Sequence, residues 1–77
     1  MPLIEIKVLE NEFSEDDKKK LITDVTEVLT AFFGENLRNH IWVIVQELKT
    51  GNLGIGGQVI RPEDIKALRA GKGSLKL

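Results

Sequence analysis

The residue in this sequence with the least ordinary chemistry is its second. In the opening stretch Met1-Pro2-Leu3-Ile4-Glu5-Ile6-Lys7-Val8-Leu9, loss of the initiator Met1 turns Pro2 into a terminal secondary amine. The neutral form of such an amine is a base or nucleophile that no internal residue can imitate. An α-amino group titrates near pH ~8, and apolar surroundings or nearby cations lower that value towards the pH where a general base works best. With Met1 still attached, the Pro2 nitrogen is an amide without basicity. Its plain role is then to open a strand, where a missing N–H costs no ladder hydrogen bond.

Few other residues compete for a chemical role. There is no Cys, so disulfides and thiolate metal sites are excluded, and the lone His40 builds no zinc site without unusual help from carboxylates. No metal or cofactor is therefore expected. Arg38, just before the second apolar stretch, is a cation that could meet a single substrate carboxylate; its alternative is a surface pairing with Glu35. Arg61 and Arg69 are weaker candidates, and the run Lys18-Lys19-Lys20 reads as a solvated helix face. His40 reads as a strand-end residue rather than an acid.

Composition narrows the partners. Eleven Lys and Arg against twelve Asp and Glu leave a net charge of -1, without the basic stripe that nucleic acid requires. No membrane surface is implied either. The start is a charged, alternating strand rather than a basic segment followed by an apolar core, so no signal peptide or transmembrane span is expected and a cytoplasmic setting follows. Seventy-seven residues make one domain, 1–77, with a thin core. Without disulfides or metal, oligomerisation is the remaining way to stabilise it.

The elements that must position Pro2 can be read in order. Ile4, Ile6 and Val8 share one strand face, while Leu3, Glu5, Lys7 and Leu9 share the other. After a loop at Asn11, Glu12 and Phe13, the stretch Ser14-Glu15-Asp16-Asp17 has the form of a capping box that starts a helix at Glu15. Leu21, Ile22, Val25, Val28, Leu29, Phe32 and Phe33 recur at three- and four-residue intervals, a stripe to cover the sheet, and Gly34 should end the helix as a left-handed cap.

A second strand is expected from His40 to Leu48, apolar on both faces around Ile41-Trp42-Val43-Ile44-Val45. One helix covers only one face, so the other falls to another copy or another protein. Four glycines among residues 51–57 read as a hairpin rather than a phosphate loop, since no Lys-Ser or Lys-Thr follows them. Gln58-Val59-Ile60 is a short strand, and Pro62 then opens a last helix that Gly71 closes. The tail from Lys72 to Leu77 should fray or dock on a neighbouring subunit. The expected fold class is α/β (α+β): a β-α-β unit with a parallel strand pair, then a C-terminal hairpin and a short helix, with helix and tail at about 62–77.

The Met-Pro start, the capped helix with Lys18, Leu21-Ile22 and Val25-Thr26, and the second apolar strand leading to Gly54-Ile55-Gly56-Gly57 together resemble the 4-oxalocrotonate tautomerase family. The resemblance runs from Pro2 to about Ile60. It implies a tautomerase-like fold, assembled as a homohexamer or as related dimers and trimers, with N-terminal prolines in pockets at subunit boundaries. It implies that Pro2, freed of Met1, takes a proton from carbon next to a carbonyl and returns it elsewhere along the conjugated system.

The family's other positions carry over less directly. An arginine in the loop after the first strand falls on Phe13, with one residue inserted nearby, and a second falls on Trp42. The aromatic wall before the Gly-Ile-Gly-Gly run is Leu53, and Leu9 holds the strand-end position whose backbone N–H meets substrate. Trp42 is either a pocket wall or interface packing.

With the usual cations vacated, a dicarboxylate such as 2-hydroxymuconate is disfavoured. The expected activity is keto-enol tautomerisation of a small carboxylate, a 2-hydroxy-2,4-dienoate or an arylpyruvate enol. The alternative is a non-catalytic subunit, such as the partner of an active paralogue in a mixed hexamer. A third reading, hydration or dehalogenation of a β-substituted acrylate, needs a carboxylate to activate water, and only Glu5 offers itself.

Overall fold

The computed structural model describes residues 1–71, so the expectation for the Lys72–Leu77 tail lies outside the described residues. The chain runs β1 (Leu3–Leu9), α1 (Glu15–Phe33), a 3-10 helix (Glu35–His40), β2 (Trp42–Leu48), β3 (Gly54–Ile55), β4 (Gln58–Val59) and α2 (Pro62–Arg69). β1 pairs with β2, and β3 with β4. Two compact units are present among the described residues: Met1–Lys7 with Phe13–Gln46, and Val8–Glu12 with the chain from Glu47 onward. No helix among the described residues is long and apolar enough to cross a membrane.

β1 and β2, each of which begins in the first unit and ends in the second, run parallel, as a β-α-β connection requires. The Trp42 N–H donates to the Pro2 carbonyl at 2.9 Å at one end of the ladder, and the Glu10 N–H donates to the Leu48 carbonyl at 2.8 Å at the other. In a parallel ladder these two bonds give one register, Leu3 opposite Trp42 through to Leu9 opposite Leu48. Partners in register point to the same side. Ile4, Ile6, Val43 and Val45 are half-buried, whereas Leu3, Glu5, Lys7, Trp42, Ile44 and Gln46 are exposed. One face of the pair is covered and the other is open.

The cover for the closed face is α1, built as the sequence predicts. The Ser14 hydroxyl accepts from the Asp17 N–H and the Asp17 carboxylate from the Ser14 N–H, each at 3.1 Å, so both halves of the capping box form. Three acids in the first turn add charge of the favourable sign. Leu21, Val25 and Leu29 are half-buried and Thr30 is buried, its hydroxyl satisfied by the Thr26 carbonyl at 2.7 Å. The expected stripe does not hold along the whole helix. Val28 and Phe32, seven and eleven residues after Leu21 and in line with it, are exposed at 68% and 81%, because towards the C-terminus the covered side has moved round to Thr26, Leu29 and Thr30; Ile22 and Phe33 are exposed too. Lys18, expected on the solvated face, is half-buried, whereas Lys19 and Lys20 are exposed and Lys20 pairs with Asp24 at 2.5 Å.

The exit from α1 also differs from expectation. Gly34 has φ 102° and ψ 151°, a glycine-only region that is not the left-handed helical one. The chain does not turn back there; it enters the 3-10 helix directly. That helix takes the chain through His40, so β2 begins at Trp42 and His40 ends a helical turn rather than a strand.

In the second unit, Glu10 organises the turn after β2: its carboxylate accepts from the Thr50 N–H at 2.7 Å. β3 and β4 form an antiparallel hairpin with Gly54 opposite Val59 and Ile55 opposite Gln58. Its two-residue turn, Gly56-Gly57, has φ 57° and 82°, the positive pair that a tight hairpin turn needs and that side chains resist. The glycine run is thus a hairpin, as read from the sequence. Leu9 and Ile60 are buried here, as is Pro62 at the first position of α2, whose start is held by the Asp64 carboxylate accepting the Arg61 N–H at 2.9 Å.

Candidate active site

Pro2 is half-buried and immediately precedes β1, with its carbonyl held by the first amide of β2. The ladder register sets the side chains of Leu3 and Trp42 side by side on the open face, with exposures of 40% and 60%. The structure therefore brings Pro2, Leu3 and Trp42 together at one end of the strand pair. Phe13 is half-buried in the loop that leads into α1 of the same unit.

Leu9 and Leu53 belong to the second unit. Leu9 is 2% exposed, so its side chain is core and only its backbone is open to a chemical role. Successive amides of a strand point to opposite sides, and the Glu10 N–H is turned towards β2. The Leu9 N–H therefore faces the other edge of β1. Leu53 is half-buried just before the hairpin, and its carbonyl accepts the Ile60 N–H at 3.0 Å.

Arg38 is held on two sides. Its Nη1 and Nη2 reach Glu27 Oε1 and Oε2 at 2.5 and 3.1 Å, while Nε and Nη2 reach Glu35 Oε1 and Oε2 at 2.7 and 3.2 Å. The Glu35 partner was anticipated from the sequence. Glu27 was missed, because eleven residues separate it from Arg38 and no local spacing rule links a helix residue to the 3-10 turn that follows. Hydrogen bonds from Arg38 hold both carboxyls below their ordinary range, and the two carboxylates raise the guanidinium further above its own.

A surface hollow of about 490 Å³ runs along α1, lined by Glu15, Asp16, Lys18, Lys19, Ile22 and Thr23. It shares no residue with the candidates above and is lined mainly by charged side chains of a single helix. Among the described residues no group of three or more His, Asp or Glu stands close enough to hold a metal ion.

With fold and site in view, the relatives give the class. Residues 2–62 match the family model for tautomerase enzymes. The chain is 35% identical over 60 residues to a probable tautomerase of Dickeya dadantii, covering 78% of this chain and 88% of that one. It is 38% identical over 68 residues to a probable tautomerase of Listeria monocytogenes, covering 84% and 100%. In three dimensions it is similar to YwhB, a homologue of 4-oxalocrotonate tautomerase, with a TM-score of 0.67, 24% identity and coverage of 82% and 97%. The chain belongs to the 4-oxalocrotonate tautomerase family. That membership supports an isomerase activity of the tautomerase kind.

Proposed function

We propose that this protein is a keto-enol tautomerase in which Pro2, released as the terminal amine by removal of Met1, is the general base. The substrate class is a small 2-hydroxydienoate or an arylpyruvate-type acid. The neutral amine removes a proton from the carbon next to the carbonyl, leaving an enolate, and the resulting ammonium delivers a proton at another position of the conjugated system. No net proton is consumed. The observation that carries this reading is the placement of Pro2 beside Leu3 and Trp42, at the head of a tautomerase-type strand pair.

Apolar neighbours suit a base, because they disfavour the ammonium form and lower the amine pKa from its usual ~8. They also suit an apolar or aromatic substrate tail. Phe13 and Leu53 are assigned as further walls, and the Leu9 N–H as a donor to the substrate. Arg38 makes four of its five N–H bonds to Glu27 and Glu35, so a forked hold on a substrate carboxylate would require it to give up a carboxylate that it already holds. The open face with Leu3, Trp42 and Ile44 is assigned to contact between copies of the chain, in a hexamer that works in the cytoplasm.

The test compares forms of the protein differing only at the terminus, with phenylenolpyruvate as substrate. The form starting at Pro2 should turn it over, with kcat/KM still rising as pH passes through neutrality, since only the neutral amine accepts a proton. Retention of Met1 should abolish nearly all of the rate, and Pro2→Ala a large part. Equal turnover with and without Met1 would make Pro2 a structural residue and favour a subunit without chemistry of its own.

A further inference from the structure

The tautomerase reading leaves one well-built feature of the first unit unused, the tie between Arg38 and two carboxylates on different elements. Glu27 lies on α1, and Glu35 opens the 3-10 helix. A 3-10 helix has poorer hydrogen-bond geometry than an α-helix and is used in short pieces, so its placement depends on outside contacts. The one between Gly34 and Ile41 has no side-chain cap at its start. The forked pairing of Arg38 with Glu27 ties it by side chains to α1.

Directly downstream, the Ile41 N–H donates to the Arg38 carbonyl at 3.3 Å, and the next amide, Trp42 N–H, donates to the Pro2 carbonyl at 2.9 Å. The chain from clamp to candidate base is thus four residues and two hydrogen bonds long. We infer that Arg38 is a positioning residue: clamped between Glu27 and Glu35, it fixes the start of β2, and β2 in turn fixes Pro2 through the Trp42 amide.

Charge argues the same way. One guanidinium between two carboxylates makes a cluster of net charge -1, which repels a substrate carboxylate rather than attracting it. Four of the hydrogen bonds that the guanidinium fork can donate are already made. A forked hold on a substrate carboxylate would require the cluster to open, and a positioning role requires it to stay closed.

This inference rests on the proposed reaction for its kinetic consequence and on geometry alone for its physical one. The two roles give different outcomes for Glu27→Gln. If Arg38 bound substrate, weakening its competitor would free it and lower KM. As a positioning residue, Arg38 should give variants, Glu27→Gln and Arg38→Met alike, in which kcat falls about tenfold while KM stays within twofold and the pH midpoint of kcat/KM is unmoved. Arg38→Lys, which keeps the charge but not the fork, should recover part of the loss.

Amide hydrogen exchange supplies the arm that needs no activity. In both Glu27→Gln and Arg38→Met the Trp42 N–H should exchange about tenfold faster, with the mid-strand amide of Ile6 unchanged. Unchanged exchange at Trp42, uniform acceleration across the ladder, or a lower KM in Glu27→Gln would overturn the inference. Absence of turnover in the native protein would sink the tautomerase reading and leave the exchange result to decide the clamp.

Discussion

Trp42→Ala is the substitution that should separate a lone chain from an assembled one. A Trp side chain buries roughly 150–250 Å² when fully enclosed. At 60% exposure in the single chain, about 120 Å² of that remains available to a partner. At ~25 cal/mol per Å² this amounts to about 3 kcal/mol for each chain that covers it, or roughly a hundredfold in the association constant of one interface. The part already covered, about 80 Å², contributes about 2 kcal/mol to the chain itself. The two losses are separable, because only the first depends on concentration. Light scattering over a dilution series should show the native protein as several chains at micromolar concentration, with the variant dissociating at about a hundredfold higher concentration. Thermal or urea unfolding of the dissociated variant should show only the smaller loss. A native monomer at micromolar concentration, or a variant whose dissociation midpoint moves less than twofold, would refute the argument that the Leu3, Trp42 and Ile44 face is covered by another copy.

Two further outcomes concern the elements that hold the site. Ser14→Ala removes the acceptor for the Asp17 N–H and should cost about 1 kcal/mol, which for a chain of this size lowers Tm by roughly 4–8 °C; a Tm within about 1 °C of native would mean that the cap adds nothing to α1. The Thr50 N–H holds the Glu10 carboxyl below its ordinary value of 4.5, so the bond stabilises the fold above that pH and the benefit is lost as pH falls through the lower, folded-state value. Glu10→Gln keeps an acceptor but no charge, and should be less stable than native at neutral pH with the gap closing in acid. A urea-midpoint difference that stayed constant from pH 7 to pH 3 would show that the ionised carboxylate does not matter there.

What could be read from the sequence was whatever depends on local rules. The Ser14 to Asp17 box, the Gly56-Gly57 turn and the Pro62 helix start each follow from which backbone groups need partners within a few residues, and each forms as expected. The parallel pairing of β1 and β2 followed from chirality and the length of the crossover. What escaped was set by tertiary placement. The α1 stripe includes Val28 and Phe32 by periodicity, but the covered side of the helix moves from Leu21 round to Leu29 and Thr30 along its length, which a fixed stripe does not anticipate. The 3-10 helix was hidden because residues 35–40 carry neither apolar rhythm nor a cap, and its tie to α1 runs through Glu27, a residue off the apolar stripe or at its edge. At the candidate site, Pro2 stood out because an N-terminal amine is chemically unlike any side chain. The pairing of Trp42 with Pro2 needed the register, which a sequence does not print.

In the proposed mechanism, the vacated cation positions that the resemblance implies make assembly and catalysis one question. An amine of pKa ~8 is only about one-tenth neutral at pH 7, and a fall of one unit would bring it to about one-half, a gain near fivefold in active base. Arginines beside the substrate would supply such a shift electrostatically; the family resemblance implies Phe13 and Trp42 at those positions, and Arg38 sits in a cluster of net charge -1. Desolvation by apolar surface is what remains to lower the amine pKa, and it acts only when water is kept out. In the single chain Trp42 and Leu3 are too exposed to do that. A second copy laid over the open face would dry the surroundings of Pro2 and stabilise the thin fold with the same buried area. Loss of subunits should therefore move the rate-pH curve towards higher pH before it unfolds the chain, so a change in the pH dependence, rather than in secondary structure, would be the first sign of dissociation.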